Sequence, residues 1–475
     1  MSAAQTRRNF LKLSAAGLAA STAPPAWGAP PSSPPAAREI TIRVTDEKRL
    51  FERAPALAWR PGPGKPSAGI IKLNPQTKFQ EILGFGAAFT DASCYTFNQL
   101  SGDAREQLFH ELFHPSEMGF SVCRTCIGAS DYSTEMYSFD EGDPDPDLKR
   151  FSIDHDRAYL LPVLQQARKV NPDLFLFSSP WSPPGWMKAN GTMLGGSMRK
   201  KYFASYAQYF LKFLQGYAAE GVPIQAVTSQ NELDTDQDGR MPACLWGQEY
   251  EIEFVKEHLG PVLKSNGIPA KIWLLDHNYN LWGRAICELD DPGLHKYSNA
   301  VAWHGYVGSA DMMSKVHAAH PDAQMYWTEG GPDYTSPTYA TDWAAWGHTF
   351  TEVLRNWCQS ITGWNLALDE HGRPNIGPFS CGGMVTIHSQ TKEVTRSGQY
   401  WAFAHFSRLV HRGARRFDSR GTMPGVDHVA FENPDGQKIL VFSNAGAERP
   451  LVMQMGTLVT DLTLTSNSVT TLAWK

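Results

Sequence analysis

The sequence predicts an α/β fold: a (β/α)8 TIM barrel with an associated β-sandwich side domain. Three observations carry this. From Gly84 onward, eight short apolar segments alternate with longer amphipathic stretches. After about residue 412 that rhythm gives way to short strands separated by turns. The chain has 475 residues, 42 % of them hydrophobic, enough for a barrel and a modest second domain.

In chain order, residues 1–28 read as an export signal. Arg7 and Arg8 precede Phe10-Leu11-Lys12, a mild apolar run covers 13–20, and Ala26-Trp27-Gly28 offers a cleavage site. The run is too short to span a bilayer, so no stable membrane insertion is expected. The paired arginines point to the twin-arginine pathway and to a periplasmic or extracellular location. Residues 29–38, rich in Pro, Ser and Ala, read as a linker. Residues 39–78 should hold N-terminal strands of the sandwich, at 39–46 and 69–73.

The barrel is expected over 79–411, with strands at 84–89, 120–128, 174–181, 224–232, 271–277, 299–306, 324–331 and 362–368. Amphipathic helices are expected at 156–170, 199–217, 248–264 and 341–357, with a final helix at 401–410. Residues 412–475 should return to the sandwich, with strands at 428–431, 439–442, 451–455 and 462–464.

The formal net charge is −5, and losing the signal's Arg7, Arg8 and Lys12 moves it to −8. With no basic stripe, nucleic acid is not an expected partner. The seven cysteines have no regular spacing and form no disulfide framework. Cys123 and Cys126 have CxxC spacing, but inside an apolar strand and without a second ligand pair; they read as buried thiols. Asp234-Thr235-Asp236-Gln237-Asp238-Gly239 imitates the start of a calcium loop, yet Leu245 stands where the bidentate Glu belongs. The acidic stretch 140–147 reads as a solvated loop.

Barrel active sites lie at the C-terminal ends of the strands. Strand 4 ends in Ser229-Gln230-Asn231-Glu232 and strand 7 in Thr328-Glu329. Strand 3 ends in Ser179-Pro180-Trp181, strand 6 in Trp303-His304-Gly305-Tyr306, strand 8 carries Gly363-Trp364-Asn365, and strand 1 leads to Asp91. Two carboxylates and several aromatics therefore meet at one mouth. Glycoside hydrolysis needs that set: one carboxyl group protonates the leaving oxygen, and the other attacks the anomeric carbon or activates water. Aromatic faces, plentiful in a chain with 15 Trp, would form the sugar-site walls. Each residue also has a plainer reading: a solvated strand-end Glu, a core histidine for His304, ordinary core for Trp181 and Trp364. Arg124, inside a strand, either pairs structurally with a carboxylate or helps orient Glu232.

Gly84-Phe85-Gly86-Ala87-Ala88-Phe89-Thr90-Asp91, the string from Ser179 to Lys188, Asn231-Glu232, Thr328-Glu329 and the string from Gly363 to Leu368 occur in this order. Together they resemble glycoside hydrolase family 30, the family of glucosylceramidase. The resemblance runs from about residue 40 to 475. It implies a barrel with a side β-sandwich built from both chain ends, and retention of anomeric configuration. It implies Glu232 as acid/base and Glu329 as nucleophile, with Asp91, Trp181, Asn231, His304, Tyr306 and Trp364 lining the substrate site. Leu233 follows Glu232 where the family often has Pro, leaving the loop after strand 4 less constrained.

The expected substrate is a β-linked glycoside or glucan, and neither metal nor organic cofactor is required. β-Glucoside cleavage of the glucosylceramidase type, with a link to sphingolipid metabolism, comes first. An endo-β-1,6-glucanase is the alternative, then a β-xylosidase or β-fucosidase. A non-catalytic carbohydrate-binding protein is a reading from another class, disfavoured by two intact glutamates; a metal-dependent barrel enzyme is a third, disfavoured because Glu232, Glu329 and His304 alone make no adequate ligand set.

Overall fold

The computed structural model describes residues 39–62 and 69–475. The expected signal (1–28) and linker (29–38) lie outside the described residues. Among the described residues no helix is long and apolar enough to cross a membrane.

Eight parallel strands close into a barrel: Gly84–Phe89, Val122–Cys126, Phe175–Ser179, Ala226–Thr228, Lys271–Asn278, Ala300–His304, Gln324–Glu329 and Cys358–Gly363. Closure sets Ile361 of strand 8 beside Phe85 of strand 1. Strands 1 and 2 approach closely at Gly86, where a Cβ would stand 2.0 Å from the Val122 carbonyl oxygen, so the glycine of the Gly84-Phe85-Gly86 string is a packing requirement.

Alternation along the strands fills the interior in layers. Val122, Phe177, Ala226, Trp273, Ala300, Ala302 and Tyr326 form an apolar plug. Trp273 stacks on Tyr326 at 4.0 Å between ring centroids, and the three alanines leave room for the two rings. Moving up each strand by two residues reaches Arg124, Ser179, Thr228, His304 and Thr328, all buried. In strand 5 simple alternation would aim Leu275 inward. Instead Leu275 and Asp276 have φ of 73° and 47°, and the register against strand 6 slips there. This bulge turns Leu275 outward and sends Asp276 into the polar layer.

The eighth strand departs from expectation. It begins at Cys358 and ends at Gly363, not at 362–368. Its polar Gln359, Ser360 and Thr362 hid it, and Asn365, at φ 60°, turns the chain out of the strand. Ala367–Leu368 instead pairs with Val385–Ile387 in a small three-stranded sheet. The acidic stretch is also less solvated than expected: Asp140 and Asp145 are buried around Arg150, while its other carboxylates are exposed. Cys123 and Cys126 are buried free thiols. Three positions apart on a strand, they face opposite ways, one into the outer core and one toward the mouth.

Both ends of the chain build one ten-stranded sheet that folds over a single apolar core. Glu39–Asp46 pairs with Arg49–Ala58 and Ser468–Trp474, and Gly69–Glu81 lies between Arg415–Arg420 and Arg449–Met455. Ile40, Ile42 and Val44 meet Leu451, Leu462 and Leu464 across that core, which gives the β-sandwich. It docks on the helices Trp343–Arg355 and Gly398–Ser407. Ser443 donates to the Ala344 carbonyl at 2.6 Å, and the His405 ring lies 2.8 Å from both Thr45 Oγ1 and Thr471 Oγ1.

Candidate active site

The polar layer is organised around Asp276. Its Oδ2 accepts from Arg124, Ser179 and Thr228 at 2.7–2.8 Å, and its Oδ1 from Thr328 at 2.7 Å, with His304 Nε2 at 3.1 Å. Burial opposes ionisation of Asp276, but Arg124 and His304 outweigh it and hold its carboxyl well below the usual range. Arg124, fully buried, makes the second hub. Its guanidinium bonds Glu329, Asn231 Oδ1 at 2.7 Å and Ser179 Oγ at 3.2 Å, and lies 4.6 Å from the Trp181 ring centroid. Binding Arg124 through Oδ1 leaves the Asn231 amide nitrogen for a ligand.

Above this floor opens a cavity of about 460 Å³. Glu232 and Glu329 both line it, with Trp181, Asn231, Tyr306 and Trp364. Trp181 and Trp364 stack at 5.0 Å between ring centroids. Glu329 Oε1 accepts from the Tyr306 hydroxyl at 3.0 Å. Burial raises the Glu329 pKa; Glu232 and Asp276 add to this, and His304 and Arg124 oppose it. Glu232 follows the short strand 4 in a turn with φ of 47°. Its Oε1 lies 3.2 Å from His304 Nδ1, and its Oε2 accepts from Gln237 Nε2 at 2.7 Å. His304 is not on the cavity wall; it sits beneath, between Glu232 and Asp276. Burial disfavours its charge, but Glu329, Asp276 and Glu232 push its pKa up to about 9. Burial also works against Glu232, yet His304 holds that carboxyl below its ordinary value. Glu232 Oε1 and His304 Nδ1, 3.2 Å apart, are placed to hold one proton between them.

Two of the expected lining residues, His304 and Asp91, are off the cavity wall. Asp91 does not line the cavity. It opens the helix Asp91–Asn98, and its buried carboxylate accepts from Thr134 N and Oγ1, Tyr159 and His155 at 2.7–3.0 Å. Those bonds fasten the loop after strand 2, and that loop brings Asp131 to the wall instead. Asp131 Oδ1 is buried without a partner, and burial beside Glu329 and Glu232 raises its pKa well above the carboxylate range. Four more residues escaped the sequence reading: Asp276 and His277 at the end of strand 5, Asn278 after them, and Gln237 in the calcium-like segment. An Asp closing the apolar run 271–275 was a legible signal for the first.

Fold and site together define a glycoside hydrolase of the barrel type, and comparison with known proteins agrees. The glycosyl hydrolase family 30 TIM-barrel domain matches residues 82–410, and the family 30 β-sandwich domain matches 413–472. An endo-1,6-β-D-glucanase of Neurospora crassa is 32 % identical over 404 residues, covering 80 % of this chain and 83 % of the relative. The lysosomal acid glucosylceramidase of Mus musculus is 27 % identical, with 80 % and 78 % covered. The solved structure of an endo-β1,6-glucanase superposes with a TM-score of 0.83 at 28 % identity, covering 92 % of this chain and 99 % of that one. The chain belongs to glycosyl hydrolase family 30.

Proposed function

We propose that this hydrolase is an exported, retaining endo-β-1,6-glucanase, with Glu329 as nucleophile and Glu232 as acid/base. One observation carries the substrate reading: five polar side chains stand with Val307 on the cavity wall beside Glu232. Asp234, Thr235, Gln237, Asn278 and Asn280 line it. The acid/base serves the leaving group, so this wall receives it. Hydroxyl partners suit a sugar there better than the apolar chains of a glycolipid. The name of the Neurospora relative supports the same reading.

In the first step Glu329 Oε1 or Oε2 attacks the anomeric carbon as the bond to the leaving oxygen breaks, and that oxygen takes the proton of the Glu232–His304 pair. Water then attacks the glycosyl ester, Glu232 accepts its proton, and Glu329 is released. Trp181 and Trp364 supply apolar faces for the glycone ring, and Asp131 and Asn231 supply hydrogen-bond partners. Twin-arginine export, which carries folded proteins, suits seven cysteines that are all free thiols.

A second reading, exo-cleavage of β-glucosides, is favoured by the stacked Trp181–Trp364 pair and Asp131, all buried, which suit a single glycone ring. Chromatography of β-1,6-glucan digests separates the two. Mixed oligosaccharides early in the reaction are expected. Glucose alone from long chains would overturn the endo reading.

A further inference from the structure

We infer that Glu232, His277 and His304 form a binding site for one divalent transition-metal ion, Zn²⁺ or a chemical equivalent. Their ligand atoms all lie within 4.8 Å of one another. His304 Nδ1 is 3.2 Å and His277 Nδ1 3.8 Å from Glu232 Oε1. Around a tetrahedral ion with bonds of about 2.1 Å, ligand atoms stand about 3.4 Å apart. Two of the three separations are already within a few tenths of that. The two imidazole nitrogens need close by at most about 1.4 Å, within reach of side-chain rotation.

Three further features point to a metal rather than to a chance cluster. First, His277 Nδ1 is buried with no hydrogen-bond partner, and the residue, 7 % exposed, lines the cavity. A buried polar atom left unpaired costs free energy that a ligand would recover. Second, His304 has the outer support of a metal-binding histidine. Asp276 Oδ1 sits 3.1 Å from Nε2 and fixes a proton there, so Nδ1, facing Glu232, is the atom that can bind an ion. Third, the charge fits. An ion on His304 Nδ1 takes the place of the proton shared with Glu232, and Glu232, Glu329 and Asp276 against Arg124 then leave a net −2, which a divalent cation balances. Histidine nitrogens with one carboxylate select Zn²⁺, Cu²⁺, Ni²⁺ or Co²⁺ over Mg²⁺ or Ca²⁺, and the fourth position opens to the cavity. The ion is no part of the hydrolytic steps above. It would occupy the Glu232 oxygen that protonates the leaving group, so occupancy switches hydrolysis off; that consequence rests on the role given to Glu232.

Cobalt(II) titration of the full chain tests this, in a Cys287→Ser background that removes the exposed thiol. Visible d–d absorption saturating at one equivalent is expected. Affinity should drop at least tenfold in His277→Ala, and likewise in His277→Gln, which keeps the pocket filled should the alanine variant fail to fold. Hydrolysis should fall in step with occupancy and return on adding EDTA. Absence of the bands, or a folded His277 variant that binds cobalt as tightly as wild type, overturns the site. Bands that fill while hydrolysis continues leave the site standing and overturn Glu232 as acid/base, so the two assignments fail separately.

Discussion

At the scale of single residues, the proposed chemistry depends on where one proton rests. Glu232 and His304 share it, and the carboxylates around His304 set the pH at which it leaves. Since His304 is held up to about 9, hydrolysis should decline as pH rises through about 9. As the proposed nucleophile Glu329 must be ionised, and its raised pKa places the acid limb above the ordinary glutamate value of 4.5. In His304→Gln the basic limb should move to lower pH and kcat should fall on the order of 10², with KM changing less. A pH–rate profile checks this; an unmoved basic limb would remove His304 from proton handling. Much of this scale was legible. Glu232, Glu329, Trp181, Asn231, Tyr306 and Trp364 each ended a strand or followed one, and the structure puts all six on one cavity. Asp91 was misread because its string lies beside strand 1, where a wall residue is expected, while its carboxylate serves the loop that carries Asp131.

At the scale of elements, the helix Gln248–Glu253 does more than cover the barrel. Its buried Glu251 accepts from Ser229 Oγ at 2.6 Å, from the Leu275 amide at 3.1 Å and from Arg284 at 3.0 Å. Ser229 lies three residues before Glu232, and Leu275 is the outward half of the bulge that aims Asp276. Glu251 thus ties the ends of strands 4 and 5, which also meet through Glu232 N donating to the Asp276 carbonyl at 3.0 Å. Glu251→Ala leaves Arg284 with Glu288 as its one carboxylate and the Leu275 amide bare. A cost of about 1–3 kcal/mol is expected, read as a lower midpoint in urea unfolding. The milder Glu251→Gln should keep the fold and lower kcat more than it raises KM, because strand ends rather than sugar contacts move. None of this could be read from the sequence. A bulge depends on pairing across strands, and periodicity along one strand predicts Leu275 pointing inward. The same limit cost the eighth strand, where Ser360 and Thr362 break the apolar run that would mark it.

At the scale of the whole molecule, the sandwich is held to the barrel partly by a buried neutral histidine. Burial, with Arg408 and Arg43 nearby, lowers the His405 pKa to about 3 from an ordinary 6.5. The unfolded chain therefore binds a proton that the folded chain refuses. His405 penalises folding nowhere above pH 6.5, and stability is lost as pH falls from about 6.5 toward 3, by up to about 1.4 kcal/mol per unit. In His405→Gln the acid-side fall in Tm should be shallower than in wild type; equal slopes would show that His405 is not the group responsible. The barrel, with its eight-fold rhythm, was plain in the sequence. The sandwich was only partly so. Arg49–Ala58, Arg415–Arg420 and Ser468–Trp474 carry too many polar or small residues to stand out, and their place is set by partners hundreds of residues away.

The proposed mechanism requires that Glu329 become covalently glycosylated. Incubation with 2-deoxy-2-fluoro-β-D-glucosyl fluoride, followed by peptide mass mapping, tests it most directly. The fluorine slows both steps and the good leaving group restores the first, so the ester accumulates. One fluoroglucosyl adduct is expected, on the peptide holding Glu329, with activity lost in proportion. An adduct on Glu232, or turnover of the reagent with no adduct on any carboxylate, would contradict it.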